Sequence, residues 1–318
     1  MSFRSGYVTL LGRPNTGKST LLNTLVGEKV AIVSSRPQTT RTRIQAVLHR
    51  EDAQVVFLDT PGVHNPRTRM NQEMMRAVRD ALEGVDLLLV LVDASRPTNE
   101  EDDMTVEIAR KFAGPSFLLL NKIDVIQKQA LLPLIERFRR LHDFREFIPV
   151  SARRGENLEL LERKIVEYLP EGPALFPEDT CTDQPLRFLA AEIIREKILH
   201  ETREEVPYAT TVVIEQFEEP PHPSEPGSPR HSSESPGRLG AGLTRIRAVI
   251  LVEREGQKGI LIGAQGQRLK KVGQEAREEL EALLGCRIFL ELFVKAQPDW
   301  RQHPGVERLI DWRKEFQE

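Results

Sequence analysis

A chain of 318 residues is long enough for two domains that each bury a core, and 39% hydrophobic with 29% charged residues is the composition of a soluble globular protein. A formal net charge of −3 excludes a globally basic nucleic-acid or membrane binder, so any cationic surface has to be local. The longest apolar run, Leu87 to Val92, is too short to span a bilayer, and only peripheral membrane contact is left open.

In chain order, Tyr7 to Leu11 reads as a buried strand and Ser19 to Leu25 as a helix. Between them Gly12-Arg13-Pro14-Asn15-Thr16-Gly17-Lys18-Ser19 fits G-x-x-x-x-G-K-[ST], the loop that wraps nucleotide phosphates, with Thr20 just inside the helix. The glycines let successive N–H groups turn inward, Lys18 supplies charge for the β- and γ-phosphates, and the Ser19 hydroxyl can ligate Mg²⁺. Met1 to Leu11 reaches the strand without a signal-peptide pattern. Val33 to Arg41 is polar and aperiodic, a loop. Two strands follow, Ile44 to Arg50 and Ala53 to Asp59, joined at Glu51-Asp52. The second ends in Asp59-Thr60-Pro61-Gly62. Alone that is an ordinary turn; about 40 residues after a phosphate loop, Asp59 can hold a Mg²⁺ shell and the Gly62 N–H can reach a γ-phosphate.

Helices are expected over Met70 to Leu82, Glu100 to Phe112, Ala130 to His142 and Asn157 to Leu169, alternating with strands at Asp86 to Asp93, Pro115 to Leu120 and Glu146 to Val150. Asn121-Lys122-Ile123-Asp124 follows the second of these strands. The Asp124 carboxylate can accept from guanine N1–H and N2, a donor pair that adenine lacks, while Asn121 and Lys122 brace the pocket. After the third strand comes Ser151-Ala152-Arg153, where the Ala152 N–H could donate to guanine O6. Alternating strands and helices imply an α/β domain with a mainly parallel sheet, helices on both faces and nucleotide at the strands' carboxyl ends.

From Pro170 to Asp183 the chain is rich in Pro, Glu and Asp and reads as a linker, which places a first domain at 1–172, the linker at 173–185 and a second domain at 186–318. Cys181 in this stretch and Cys286 beyond it fit no metal spacing and read as unpaired thiols of a reducing cytosol, so a cytoplasmic protein is expected. Leu186 to Thr202 has helical spacing, and Ala209 to Phe217 and Leu243 to Glu253 alternate as strands. Residues 218–242, rich in Pro, Ser, Gly and His, read as a disordered insertion. A helix then runs to Leu284, and a strand from Arg287 to Val294. Lys258, Arg268, Lys270 and Lys271 crowd Ile262-Gly263-Ala264-Gln265-Gly266, a local basic patch suited to phosphates.

The strings Gly12–Ser19, Gln38-Thr39-Thr40-Arg41, Asp59–Gly62, Asn121–Asp124 and Ser151–Arg153 resemble the five nucleotide motifs of a translation-factor-type GTPase, and Pro37-Gln38-Thr39-Thr40-Arg41 resembles the Era group. The order helix-strand-strand-helix-helix-strand resembles a type II KH domain, an α+β fold whose GXXG loop, here Gly263 to Gly266, clamps single-stranded RNA.

The resemblance implies GTP and GDP as ligands and Mg²⁺ held by Ser19, Thr40 and Asp59, with Thr40 sensing the γ-phosphate and Thr39 close behind. It also implies slow hydrolysis served by Lys18, Thr40, Asp59 and Gly62, and K⁺ beside Asn15. The implied partners are the 3′ end of 16S ribosomal RNA and the 30S subunit, with the protein a monomer. Thr16 stands where such proteins often carry valine. Two rival readings are an ATP-dependent small-molecule kinase, which Asn121 and Asp124 argue against, and an RNA-binding scaffold whose first domain binds GTP with negligible hydrolysis.

Overall fold

A computed structural model describes residues 2–219 and 243–314, in which the chain divides into two compact units, Met1–Gln184 and Pro185–Glu318. Most of the expected insertion, 220–242, lies outside the described residues.

The first unit begins with β1 (Arg4–Leu11) and α1 (Lys18–Val26), then β2 (Ile44–His49) and β3 (Ala53–Asp59). It continues through α2 (Arg69–Asp80), β4 (Leu87–Asp93), α3 (Glu100–Arg110), β5 (Ser116–Asn121), α4 (Leu131–Leu141), β6 (Glu146–Val150) and α5 (Leu158–Tyr168). The six strands form one sheet in the order β2-β3-β1-β4-β5-β6. All pairs are parallel except the β2–β3 hairpin. Strand alternation explains why helices cover both faces. Leu87, Leu89 and Leu91 of β4 enter one core with α1 and α5, while Leu88, Val90 and Val92 enter the opposite core with α2, α3 and α4. A strand that is apolar at every position is buried on both sides, and β4 and β5 are buried at every position.

The stretch expected to be a linker is bound to this unit. Its backbone and side chains follow the outer edge of β2: Val47 N–H donates to the Cys181 carbonyl at 2.9 Å, and the Thr182 hydroxyl donates to the Gln45 carbonyl at 2.7 Å. Gln54 bonds Leu175 and Phe176, and Gln184 Nε2 donates to the Val30 carbonyl. Its Pro- and acid-rich composition reads as a linker because every one of these partners lies more than a hundred residues away in sequence.

The second unit runs α6 (Leu186–Glu201), β7 (Thr211–Glu218), β8 (Leu243–Val252), α7 (Glu255–Ile262), α8 (Gln267–Leu284) and β9 (Arg287–Ala296). Its sheet is ordered β7-β8-β9, with β7–β8 antiparallel around a bulge at Glu215 and β8–β9 parallel. One face packs under the helices through Ile194, Ile198, Ile246, Ile250, Val272 and Leu280. A short helix α9 (Val306–Ile310), unforeseen in the sequence, follows Trp300, which is fully buried and donates Nε1–H to the Ala209 carbonyl at 2.9 Å.

Candidate nucleotide site and nucleic-acid interface

The 12–17 loop leaves β1 and enters α1 with Asn15 and Gly17 in the left-handed region (φ 64° and 97°). Glycine is required at 17: a Cβ there would lie 2.3 Å from Asn121 Nδ2. Gly62 is likewise held by space, since a Cβ would stand 2.6 Å from Pro14 N. The two loops are tied by Val63 N–H donating to the Gly12 carbonyl at 2.9 Å. Thr16 bonds the Arg13 carbonyl within the loop, and Thr60 bonds that of Leu10. The Arg13 side chain is spent on structure, in a buried ion pair with Asp102 (3.1 Å) that fastens the loop to the first turn of α3.

Lys18 Nζ donates to the Gly12 and Arg13 carbonyls at 3.0 and 3.1 Å. Burial pushes its pKa down to about 8, against the opposing pull of Asp59. Asp59 Oδ2 accepts from Ser19 at 2.6 Å and from Thr40 at 3.2 Å, and the two hydroxyls are 2.9 Å apart. Burial raises the Asp59 carboxyl, while Lys18 and the two hydroxyls hold it down, and Oδ1 is buried without a hydrogen-bond partner. An orphaned carboxylate oxygen beside two hydroxyls fits Mg²⁺, a hard cation whose remaining ligands come from phosphates and water. No group of three or more His, Cys, Asp or Glu among the described residues forms an all-protein cage. Thr39 is turned elsewhere, its hydroxyl donating to the Arg36 carbonyl at 2.7 Å. Thr20 lines the same cavity, as do Ile32, Val33, Ser34 and Gln38, a wall of which only Gln38 belongs to a sequence motif.

On the base side, Asn121 is a brace. Nδ2 donates to the Thr16 carbonyl at 2.7 Å, and Oδ1 accepts from Lys122 N and Ala152 N at 2.8 and 3.0 Å. The Ala152 N–H, expected to face a guanine oxygen, is therefore engaged by Asn121. Lys122 Nζ spans the Asn15 carbonyl and Asp93 Oδ2, both at 2.7 Å. Burial alone would raise Asp93; hydrogen bonds from Lys122 and Ser95 hold its carboxyl below the usual range. Ser151 Oγ donates to Asp124 Oδ1 at 2.7 Å, and Arg154 stands 3.8 Å from the same carboxylate. Arg153 is exposed and Pro61 buried. Asp93 was missed because a strand-end charge carries no motif, and Arg154 because it lies in a turn just past the Ser151–Arg153 string. His64 was missed too: it is buried, with Nδ1–H donating to the Gly62 carbonyl at 2.7 Å.

In the second unit, Gly263 and Gly266 (φ 73° and 75°) flank Ala264 and Gln265 between α7 and α8. An open groove of about 500 Å³ lies beside them, lined by Gly266, Leu269, Lys270, Gly273, Gln274, Arg277, Leu290 and Leu292. Of the expected basic patch, Lys270 lines this groove. Lys258 pairs with Glu255 at 3.8 Å, Lys271 with Glu201 at 2.7 Å, and Arg268 donates to the Ile260 carbonyl. Glutamates thus offset the charge of Lys258 and Lys271, and a carbonyl fixes the direction of the still-charged Arg268, none of which clustering in sequence alone reveals. Ile262 ends α7, half-buried. Arg277 and Gln274, missed in the sequence, share the α8 face of Lys270 at helical spacing.

The fold and site define a P-loop GTPase domain followed by a KH domain. A model of the 50S ribosome-binding GTPase family matches residues 7–122, and a KH-domain model matches residues 232–301. The GTPase Era of Syntrophus aciditrophicus is 46% identical over 96% of this chain and 94% of its own; that of Geobacter metallireducens is 45% identical over 94% and 95%. A crystal structure of Era with MgGDPNP and nucleotides 1506–1542 of 16S ribosomal RNA superposes with a TM-score of 0.86 at 41% identity, covering 98% of this chain and 99% of that one. Aquifex aeolicus Era bound to GDP·AlF4⁻, in a variant form, gives 0.84 at 41% identity and the same coverage. The chain belongs to the Era GTPase family.

Proposed function

We propose that this chain hydrolyses GTP slowly and binds single-stranded 16S ribosomal RNA near its 3′ end, acting in assembly of the 30S subunit. The observation that carries the reading is the pairing in one chain of the Ser19–Thr40–Asp59 cluster with the GXXG groove, over a length that matches an RNA-bound relative almost completely. Lys18 meets the β- and γ-phosphates, the Gly62 N–H meets the γ-phosphate, and Ser19, Thr40 and Asp59 hold Mg²⁺. When bound, Mg²⁺ neutralises charge between the β- and γ-phosphates. Asp124 reads guanine, with Asn121, Lys122 and Ser151 holding its surroundings. Nucleotide chemistry belongs to residues 1–172 and RNA binding to 186–318, with 173–185 joining them, in a monomeric cytosolic protein.

Ras-type GTPases place a water-orienting glutamine after the Gly62 position, where this chain has buried Val63. Valine cannot hydrogen-bond water, so positive charge near the phosphates has to come from elsewhere. We assign that role to K⁺ held at Asn15, whose Nδ2 donates to the Ser35 carbonyl at 2.7 Å, leaving its Oδ1 as the ligand. The test is phosphate release from GTP in KCl and NaCl at matched ionic strength. Turnover should be faster in K⁺, with the advantage lost in Asn15→Ala while nucleotide affinity holds. Equal rates in both salts would remove the K⁺ assignment. No release in either would make the protein a binding switch.

A further inference from the structure

The outer face of the second unit's sheet, opposite its helices, carries a surface separate from the groove. In β9 the alternation sends Ile288, Leu290 and Leu292 toward the helices, and Leu290 and Leu292 line the groove. The same alternation puts Phe289 and Phe293 on the other side, 47% and 49% exposed. Large aromatics left half in water on one sheet face are uncommon in a soluble domain unless something covers them. Each ring is flanked by a guanidinium from the neighbouring strand. Arg245 Cζ lies 5.9 Å from the Phe289 centroid and Arg247 Cζ 5.6 Å from that of Phe293. Arg287 and Lys295, at the two ends of β9, are exposed. Of the acidic residues here, Glu291 is paired with Arg247 at 3.5 Å, and Glu218 of β7 stands opposite Arg245 in the β7–β8 register, which leaves four cations against these two carboxylates. The β8–β9 half of the face is thus cationic within a chain of net charge −3.

We propose that this face is a second RNA-contacting surface, on which unpaired bases stack against Phe289 and Phe293 while Arg245, Arg247, Arg287 and Lys295 meet the phosphates. Aromatic rings spaced along a strand and flanked by arginines suit nucleic acid because every base offers a π-face and every linkage a negative charge. A protein partner is disfavoured by the density of cations around the rings. β9 is the edge strand of its sheet, so one strand of RNA leaving the groove at Leu290 and Leu292 can turn around that edge to reach the rings. The proposal rests on the RNA-binding reading of this unit and extends it.

The test uses the full-length protein and two fluorescent RNAs from the 3′ end of 16S ribosomal RNA, one of groove length (about four nucleotides) and one several-fold longer. Phe289→Ala/Phe293→Ala should weaken the longer RNA by about 10- to 100-fold, as removal of base stacking by alanine substitution does, and leave the short one unchanged. Arg245→Gln/Arg247→Gln, which keeps both rings, should flatten the salt dependence for the longer RNA by about 0.7 for each phosphate no longer neutralised. Circular dichroism and thermal melting of each variant exclude misfolding. Ala264→Asp/Gln265→Asp is the control: it should lose both RNAs, and if it binds both like wild type the groove reading itself fails. Weakened binding of the longer RNA in that control with no change in the two face variants would overturn the second surface alone. Unchanged RNA affinity together with abolished 30S co-sedimentation in the phenylalanine variant would also overturn it, in favour of a protein contact.

Discussion

At the scale of single residues, the nucleotide site is a set of groups that each hold another in place. Asp124 is oriented by Ser151, and its carboxylate is the proposed acceptor for guanine N1–H and N2. Asp124→Asn exchanges that acceptor for an amide that cannot take both protons, leaving a buried donor unpaired, which costs several kcal/mol. Preference should shift from GTP to XTP, whose C2 oxygen accepts from the new amide. Competition binding reads this directly, and a variant still preferring GTP would refute the assignment. Lys18 makes a prediction about pH. With its pKa pushed down to about 8, the folded chain carries fewer protons than the unfolded one between pH 8 and the ordinary 10.5. Its contribution to stability therefore rises with pH across that window. Nucleotide binding runs the other way, because the phosphates need the protonated amine. Fluorescent GDP affinity should fall by about twofold from pH 7 to 8 and more steeply above 8, by at most about tenfold per pH unit for one proton. The same affinity at pH 7 and 9 would contradict a coupled Lys18.

At the scale of elements, the edges of the sheets decide the boundaries. β2 is an edge strand, and an uncovered edge is a template for pairing with other chains. The 173–184 strap covers it with hydrogen bonds that join Cys181 and Thr182 to the β2 backbone and Gln54 to the strap. At about 1 kcal/mol per bond, several of them make the strap part of the first unit's stability. A fragment ending at residue 172 should melt several degrees below one ending at 184 and aggregate more readily on heating. Matching melting curves for the two fragments would make the strap a passive tether.

At the scale of the whole molecule, the two units carry separate cores and separate sites. Aspartates at Ala264 and Gln265 put two negative charges beside the groove of the second unit and leave Ser19, Thr40 and Asp59 of the first unchanged. RNA binding at physiological salt should be abolished while basal GTP turnover stays within about twofold of wild type, because the change and the phosphate ligands belong to different units with different cores. Paired filter-binding and phosphate-release assays measure both. Wild-type RNA affinity in this variant would remove the groove from the function.

How much was legible follows from the range of each interaction. The phosphate loop, Asp59–Gly62, Asn121–Asp124 and the element order could be read along the chain, because a glycine turn, a strand's alternation and a helix's period are set by neighbours in sequence. The family resemblance was legible for the same reason, since those motifs occur in one order at compatible spacings. Tertiary structure alone decided whatever depends on remote partners. It selected Thr40 over Thr39 for the Asp59 cluster, engaged the Ala152 N–H with Asn121, and paired Lys258 and Lys271 with glutamates. It also turned an apparent linker into a strap and set Phe289 and Phe293 on the side of β9 away from the groove. Hydrogen bonds and ion pairs act over a few ångströms, so their outcome is settled by which distant segments the fold brings together.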